Sequence, residues 1–300
     1  MRRRGWLRDG LECLAAGFVL LTLRLGPRAF AEALARGYAR LLDLLVPRLR
    51  QVAMRNLELA FPGMSAGERA RIAGGVFRSV ARLMVAFARF PAITRGNVKV
   101  WIRYEGYEHF EAALRRGRGV LFATGHLGNW ELSAFAHALM SQPMHVLVRP
   151  LDNRLLNRLV ARRRALSGNR LIEKRDFARS ILKALEKNQA VGVLIDQNAS
   201  LENGVFVDFF GVPACAAAGF ARLAARSQAT VIPGFALWEE QERRYCLRFY
   251  PPVEITGDAA EDTRRLQACL EPVIRQYPDQ WIWFHRRWKT RPPGEPPLYP

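Results

Sequence analysis

Residues 118–136 read RGVLFATGHLGNWELSAFA, and the rest of the chain is best understood outward from them. Val120 to Thr124 is a short apolar run, Gly125 permits a turn, and an amphipathic pattern resumes at Trp130. Asn129 has the side chain to cap that second segment. The stretch therefore predicts a buried strand, a tight turn and a helix over 130–140, the repeating unit of α/β proteins. His126 falls just past the strand, on the sheet edge where such folds bind ligands.

The same grammar continues on both sides. Strand-like runs occur in VKVWIRYEG, MHVLVRP, NRLI, AVGVLID and VFVDFFG, alternating with helical segments at 107–116, 153–166, 176–188 and 217–227. TVIPGFALW and YCLRFYPPVEI, joined by a polar turn, predict a hairpin on the sheet, followed by a helix over 259–276. Pro233 within the first of these marks an edge or a bulge. The end, RPPGEPPLYP, reads as an irregular tail. Upstream, residues 28–60 carry apolar positions at helical spacing, with Pro47 set to kink or split the helix. Ser65 to Glu68 has capping-box spacing and opens a helix running to about Phe90. The expected fold class is α/β, a mostly parallel central sheet flanked by helices, with N-terminal membrane-associated helices. Three regions follow: an N-terminal anchor at 1–27, a helical region at 28–95 and an α/β catalytic region at 96–300.

Charge narrows the partners. Forty-six Lys plus Arg against 27 Asp plus Glu gives a net charge of +19. Such a surface seeks polyanions, whether nucleic acid, anionic lipid or an acidic protein. Cys13, Cys215, Cys246 and Cys269 lie far apart without a C-x-x-C pair, which predicts reduced thiols rather than a disulfide frame or a metal site. At the N-terminus, Arg2, Arg3, Arg4 and Arg8 precede an uncharged apolar run from Cys13 to Leu23, and Arg24, Arg28, Arg36 and Arg40 follow it. Eleven residues are too few to cross a bilayer core of about 30 Å. The reading is a retained anchor, either a short tilted span or an interfacial helix.

His126 and Glu131 are the candidate chemical pair. With His126 in the turn and Glu131 in the first helical turn, the two side chains can meet. The carboxylate then accepts one imidazole N–H and fixes the tautomer, leaving the other ring nitrogen to take a proton. Each residue also has a structural explanation, as a hydrogen-bonded turn residue and as an acid favoured by the helix dipole. No Ser or Cys nucleophile stands in a matching context, the glycine-containing stretches lack a phosphate-loop Lys, and His137 and His145 are not spaced as metal ligands. A dyad without its own nucleophile suggests that the substrate supplies one, such as a hydroxyl attacking an activated ester. Asp196 and Gln197 end a strand at the same sheet edge, where substrate contact and simple capping are both open. Phe209 and Phe210 read as core or as lining of an apolar cavity. WIWFHRRWKTRP (281–292) interleaves aromatics with Arg286, Arg287, Lys289 and Arg291, which beside an anchor reads as a membrane-interface or headgroup-binding belt. His285 reads as structural, and the arginine run at 161–170 as a solvated helix end.

TGHLGNWEL (124–132) resembles the HxxxxD/E motif of glycerolipid-type acyltransferases, in the Glu form of the bacterial lipid A late acyltransferases. NLELAFP, VRPLDN, DQN, VFVDFFGVPACAAAGFARLA and QYPDQWIWFHRRWKTRP are similar to further blocks of that family, in order along nearly the whole chain. The resemblance implies an enzyme at the cytoplasmic face of a bacterial inner membrane. It would move a fatty acyl group from acyl carrier protein, or less often coenzyme A, to a hydroxyl of an anionic glycolipid acceptor. His126 would be the general base and Glu131 its orienting partner. Arg149 would bind acceptor phosphate or stabilise the oxyanion, with Asn129, Asp196, Gln197, Arg286 and Lys289 counted as substrate-binding. No metal, bound cofactor or nucleic-acid partner is expected. The alternatives are another acceptor, such as a lysophospholipid, or a non-catalytic basic protein that binds membrane or nucleic acid.

Overall fold

The computed structural model describes residues 5–173 and 177–299. Arg2, Arg3, Arg4 and the start of the helix expected from 176 lie outside the described residues. Four helices come first: α1 (Trp6–Arg24), α2 (Arg28–Leu45), α3 (Pro47–Ala60) and α4 (Ala66–Arg89). Pro47 does split the early helix, because it lacks the N–H that would continue α2 and is instead seated at the start of α3. Ser65 and Glu68 form the reciprocal capping box at the start of α4.

The α/β part then runs β1 (Ile102–Glu105), α5 (Tyr107–Arg115), β2 (Val120–Thr124), α6 (Trp130–Met140), β3 (His145–Val148), α7 (Arg154–Ala165), β4 (Arg170–Glu173), α8 (Phe177–Glu186) and β5 (Ala190–Leu194). After these come β6 (Gly204–Phe209), β7 (Val212–Ala217), α9 (Gly219–Ser227), β8 (Thr230–Glu239), β9 (Arg244–Phe249), α10 (Ala259–Ala268) and α11 (Leu270–Gln276). Seven strands form one sheet in the order β1-β9-β8-β2-β5-β3-β4. Every pairing is parallel except the β8–β9 hairpin. The sheet thus has the expected α/β character, and the parallel strands β2, β5 and β3 end along a common edge.

Several local expectations are corrected. Residues 212–217 form β7, which pairs antiparallel with β6 in a separate two-stranded ribbon, so the helix starts later, at Gly219. The helix expected over 259–276 breaks at Cys269 into α10 and α11. Pro233 lies on an interior strand. It forms the last pair with β2 (Ala123↔Pro233), and β9 pairing begins one residue later at Gly234, so the missing N–H falls where the ladder changes partner.

The N-terminal helices share cores with the sheet. Leu20 and Leu23 of α1, Ala31 of α2 and Phe77 of α4 are buried in one cluster with Phe122 and Phe249. Val52 and Leu57 of α3 lie in a second cluster with Trp281, Trp283 and Trp288. Arg89 donates to the carbonyls of Leu23 and Gly26 and so closes the end of α1. Leu7, Leu11, Leu14, Phe18, Leu21 and Leu25 point outward at alternating spacings of four and three, leaving α1 with an exposed apolar stripe. No helix among the described residues is long and apolar enough to cross a membrane.

Candidate active site

The loop after β2 is built to hold His126 rigidly. Gly128 has φ +65°, and a Cβ there would sit 1.9 Å from the carbonyl oxygen of Ala236. Only glycine lets the backbone lie that close to β8. The Gly128 N–H donates to the carbonyl of Gln280 at 2.9 Å, and the Ile282 N–H donates to that of His126 at 3.0 Å. A short strap from the C-terminal segment therefore pairs with the histidine loop. Asn129 caps α6, its side chain accepting from the Leu132 N–H at 3.0 Å.

The carboxylate that holds the imidazole is Asp196, not Glu131. His126 Nδ1–H donates to Asp196 Oδ1 at 2.9 Å, while Asp196 Oδ2 accepts from the His126 backbone N–H at 2.7 Å and from the Trp281 indole N–H at 2.8 Å. Asp196 follows β5, which lies directly beside β2, so the parallel ladder delivers both residues to one edge. The Asp196 side chain is 2% exposed and that of His126 21%, which leaves Nε2 on the open side. Burial works against charge on Asp196. The His126 charge and hydrogen bond, with the Trp281 and backbone donors, outweigh it and hold the carboxyl down to about 2. Burial also opposes charging His126, but the Asp196 charge and hydrogen bond prevail and raise its pKa above the ordinary value, with Glu131 adding to this and Arg164 subtracting.

Glu131 instead forms a two-pronged pair with Arg164 of α7, Nε to Oε2 at 2.8 Å and Nη2 to Oε1 at 2.5 Å. The α6 side chain against the imidazole is Trp130, with ring centroids 5.1 Å apart. Glu131 is close enough for its charge to favour the imidazolium, but both its oxygens are engaged by the guanidinium. A first-turn residue can face either the loop or the next helix, and here α7 supplies the stronger partner.

The other expected site residues divide. Gln197 is exposed, with its Nε2 3.5 Å from His126 Nε2, so it borders the open side. Asn129 is fully buried with its oxygen committed to capping, which corrects its placement among substrate contacts. Asp196 is buried beneath the histidine rather than facing substrate. Arg149 is exposed just past β3, two strands along the same edge. Arg286 lies over the Tyr299 ring at 5.6 Å, and Lys289 is exposed. The belt reading of 281–292 is corrected as well. Trp281, Trp283 and Trp288 are fully buried, as is Arg287, which donates to the Cys215 carbonyl and to Gln267. His285 accepts from the Asn198 N–H, and burial lowers its pKa to about 4. Sequence reasoning missed Arg164 inside a run of three arginines, where nothing distinguishes it from its neighbours. It also missed Trp281, whose indole N–H faces the acid at the end of β5.

Under α6 lies an apolar cavity of about 50 Å³, several times what one water needs. Thr124, Trp130 and Leu194 line the part toward His126. Phe122, Met144, Val146, Gly192 and His137 lie deeper. Burial lowers the His137 pKa to about 3, so it contributes no charge.

The site thus joins a histidine held by a buried carboxylate to an apolar cavity close by. The family model described as bacterial lipid A biosynthesis acyltransferase matches residues 6–290. The chain is 30% identical over 295 residues to the lipid A biosynthesis lauroyltransferase of Escherichia coli strain K12, covering 97% of this chain and 95% of the relative. It is 30% identical over 254 residues to the palmitoleoyltransferase of the same strain, covering 84% and 82%. Identity to that strain's myristoyltransferase is 25% over 275 residues, covering 91% and 85%. The chain belongs to the bacterial lipid A biosynthesis acyltransferase family and is an acyltransferase.

Proposed function

We propose that the protein transfers a fatty acyl chain from a thioester, carried by acyl carrier protein or coenzyme A, to a hydroxyl of a lipid A precursor, with His126 Nε2 as the general base. The observation that carries this reading is the His126–Asp196 pair. Asp196 secures the proton on Nδ1, so the lone pair on Nε2 faces the open side. As the acceptor oxygen attacks the thioester carbonyl, Nε2 takes the hydroxyl proton and the imidazolium is stabilised by the carboxylate. Collapse of the tetrahedral intermediate breaks the carbon–sulfur bond. The proton then passes from Nε2 to the departing thiolate, so the products are an ester and a thiol and His126 is neutral again. General-base assistance of this kind contributes roughly 10²–10⁴-fold.

Arg164 keeps Nη1 outside its pair with Glu131, so Nη1 can stabilise the oxyanion or bind an acceptor phosphate beside it. Gln197 is placed to contact the acceptor, with Arg149 and Lys289 as more distant cations for an anionic headgroup. The acyl chain enters the cavity beneath α6. A peripheral position at the cytoplasmic face of the inner membrane agrees with the outward stripe of α1 and the +19 charge.

The test is incubation of the purified protein with an acyl-acyl carrier protein or acyl-coenzyme A and a lipid A precursor, read by mass spectrometry. One added acyl ester and one released thiol per turnover are expected. Acylation of a lysophospholipid in preference to the lipid A precursor would overturn the acceptor assignment.

A further inference from the structure

The cavity beneath α6 exists because two strands carry glycine where their neighbours carry bulk. On that side of the sheet, Gly192 of β5 pairs with both Phe122 and Val146. Gly234 opens the β8–β9 pairing opposite Phe249. Two neighbouring side chains lean over the gaps. A Cβ on Gly192 would lie 2.7 Å from Met144 Cε, and one on Gly234 would lie 2.9 Å from Phe249 Cδ1. These two glycines matter for the space they leave, not for backbone angle.

The parallel register gives the cavity a direction. Thr124 and Leu194 form the pair nearest the His126 edge, and Phe122 with Gly192 lies two residues deeper. Met144 precedes β3 and sits two residues below Val146, at the far end. Along α6 the lining runs from Trp130 to His137, a rise of about 10 Å. Around His137 the packing is aromatic, with the rings of Phe110, Phe122 and Phe249 at 4.7, 5.4 and 5.8 Å, the last two lining the cavity and Phe110 behind them. Those rings are packed against one another and cannot easily yield. Met144 differs. Its backbone is pinned on both sides, the N–H donating to Asn169 Oδ1 and the carbonyl accepting from Arg170. Its side chain nevertheless keeps three rotatable bonds and a soft thioether. At about 50 Å³ the cavity is narrow, so a long chain fits only where a wall gives way.

We propose that Met144, folded over Gly192, is the gauge that sets the length of the acyl chain transferred. This rests on the acyl-transfer reading above and adds the residue that selects among donors. The similar proteins named here carry lauroyl, myristoyl and palmitoleoyl in their names, so they are distinguished by the chain. The device can be pushed both ways. Shortening Met144 deepens the far end. A methyl group added at Gly192 presses on the flexible tip of Met144 and takes up room in the cavity that Gly192 lines.

The experiment offers purified protein an equimolar mixture of dodecanoyl-, tetradecanoyl- and hexadecanoyl-acyl carrier protein with a lipid A precursor, and reads the product chains by mass spectrometry. Met144→Ala should raise the ratio of the next longer product to the native one by about tenfold or more, since a single methylene in an apolar pocket is worth about 10–200-fold. Gly192→Ala should move the ratio by a similar factor toward the shorter product. Opposite shifts in the two variants support the gauge. An unchanged profile in either variant, or shifts in the same direction, overturns it while leaving acyl transfer intact. Should Met144→Ala fail to fold, Met144→Val carries the same expected direction with a smaller change in volume. Wild-type protein that transfers none of the three chains, nor a coenzyme A thioester, overturns the functional reading and the gauge with it.

Discussion

Trp281 donates its indole N–H to Oδ2 of Asp196 at 2.8 Å, across 85 positions of sequence. The opposite oxygen of the same carboxylate holds the His126 ring, so Trp281 orients the acid that orients the imidazole. Trp281→Phe should keep the ring packing but lower kcat about tenfold, roughly the worth of one buried hydrogen bond to a charged group. With one donor gone, Asp196 becomes more basic and grips the imidazolium harder. The acid limb of the kcat–pH profile should therefore move to higher pH, with KM for the acyl donor within about twofold. A fall in kcat with an unmoved pH profile would reduce Trp281 to a packing residue.

His126→Ala should lower kcat by roughly 10²–10⁴-fold while the variant stays folded. Circular dichroism and thiol release measured on the same preparation check both halves. Retention of full activity would remove His126 from the chemistry.

Asp196→Asn should cost about as much in kcat, because the amide no longer fixes the proton on Nδ1. It should also shift the acid limb downward. Burial then acts on His126 without the opposing carboxylate, and the ring loses its proton at lower pH. Stability has its own signature. The folded Asp196 pKa, about 2, lies below the ordinary carboxyl value. Its contribution is thus present above about pH 3.9 and lost as pH falls toward 2. Acid unfolding of Asp196→Asn should be correspondingly less steep in that window.

Glu131→Ala and Arg164→Ala should each depress activity strongly, and the double variant should lose little beyond either single one, because the two act as a unit. Additive losses in the cycle would mean that Glu131 has a role independent of the guanidinium.

Leu11→Asp with Phe18→Asp places two charges on the outward stripe of α1, at positions 68% and 62% exposed. Co-sedimentation with anionic phospholipid vesicles should fall severalfold with no change in melting temperature. Undiminished sedimentation would assign membrane binding to the arginines alone.

The sheet was legible because its strands and helices differ in period, and each turn carries Gly, Asn or Pro where the chain must change direction. The 130–140 helix and its Asn129 cap needed only local information, as did the capping box at Ser65. The hairpin arm at 212–217 was hidden, since VPACAA has neither alternation nor β-branched density, and its strand character comes from pairing with β6. The same limit governed the site. His126 was visible from the end of an apolar run, whereas its acid partner required knowing that β5 lies next to β2. From the sequence Asp196 is legible as a residue of that edge, but not as the partner of His126. The tryptophan-rich segment misled for a plainer reason. Amphipathic aromatics suit a membrane interface and a buried network equally, and only the burial of Trp281, Trp283 and Trp288 separates the two.

The strap of residues 280–282 across the histidine loop has a consequence for the order in which the enzyme becomes competent. During synthesis His126 leaves the ribosome long before Gln280, Trp281 and Ile282 exist to brace it. Until they dock, the loop lacks its two backbone anchors and Asp196 lacks its indole donor. A nascent chain can therefore carry every strand of its sheet before His126 and Asp196 are fully braced. Only with residues 280–282 docked does the histidine loop have both of these backbone hydrogen bonds.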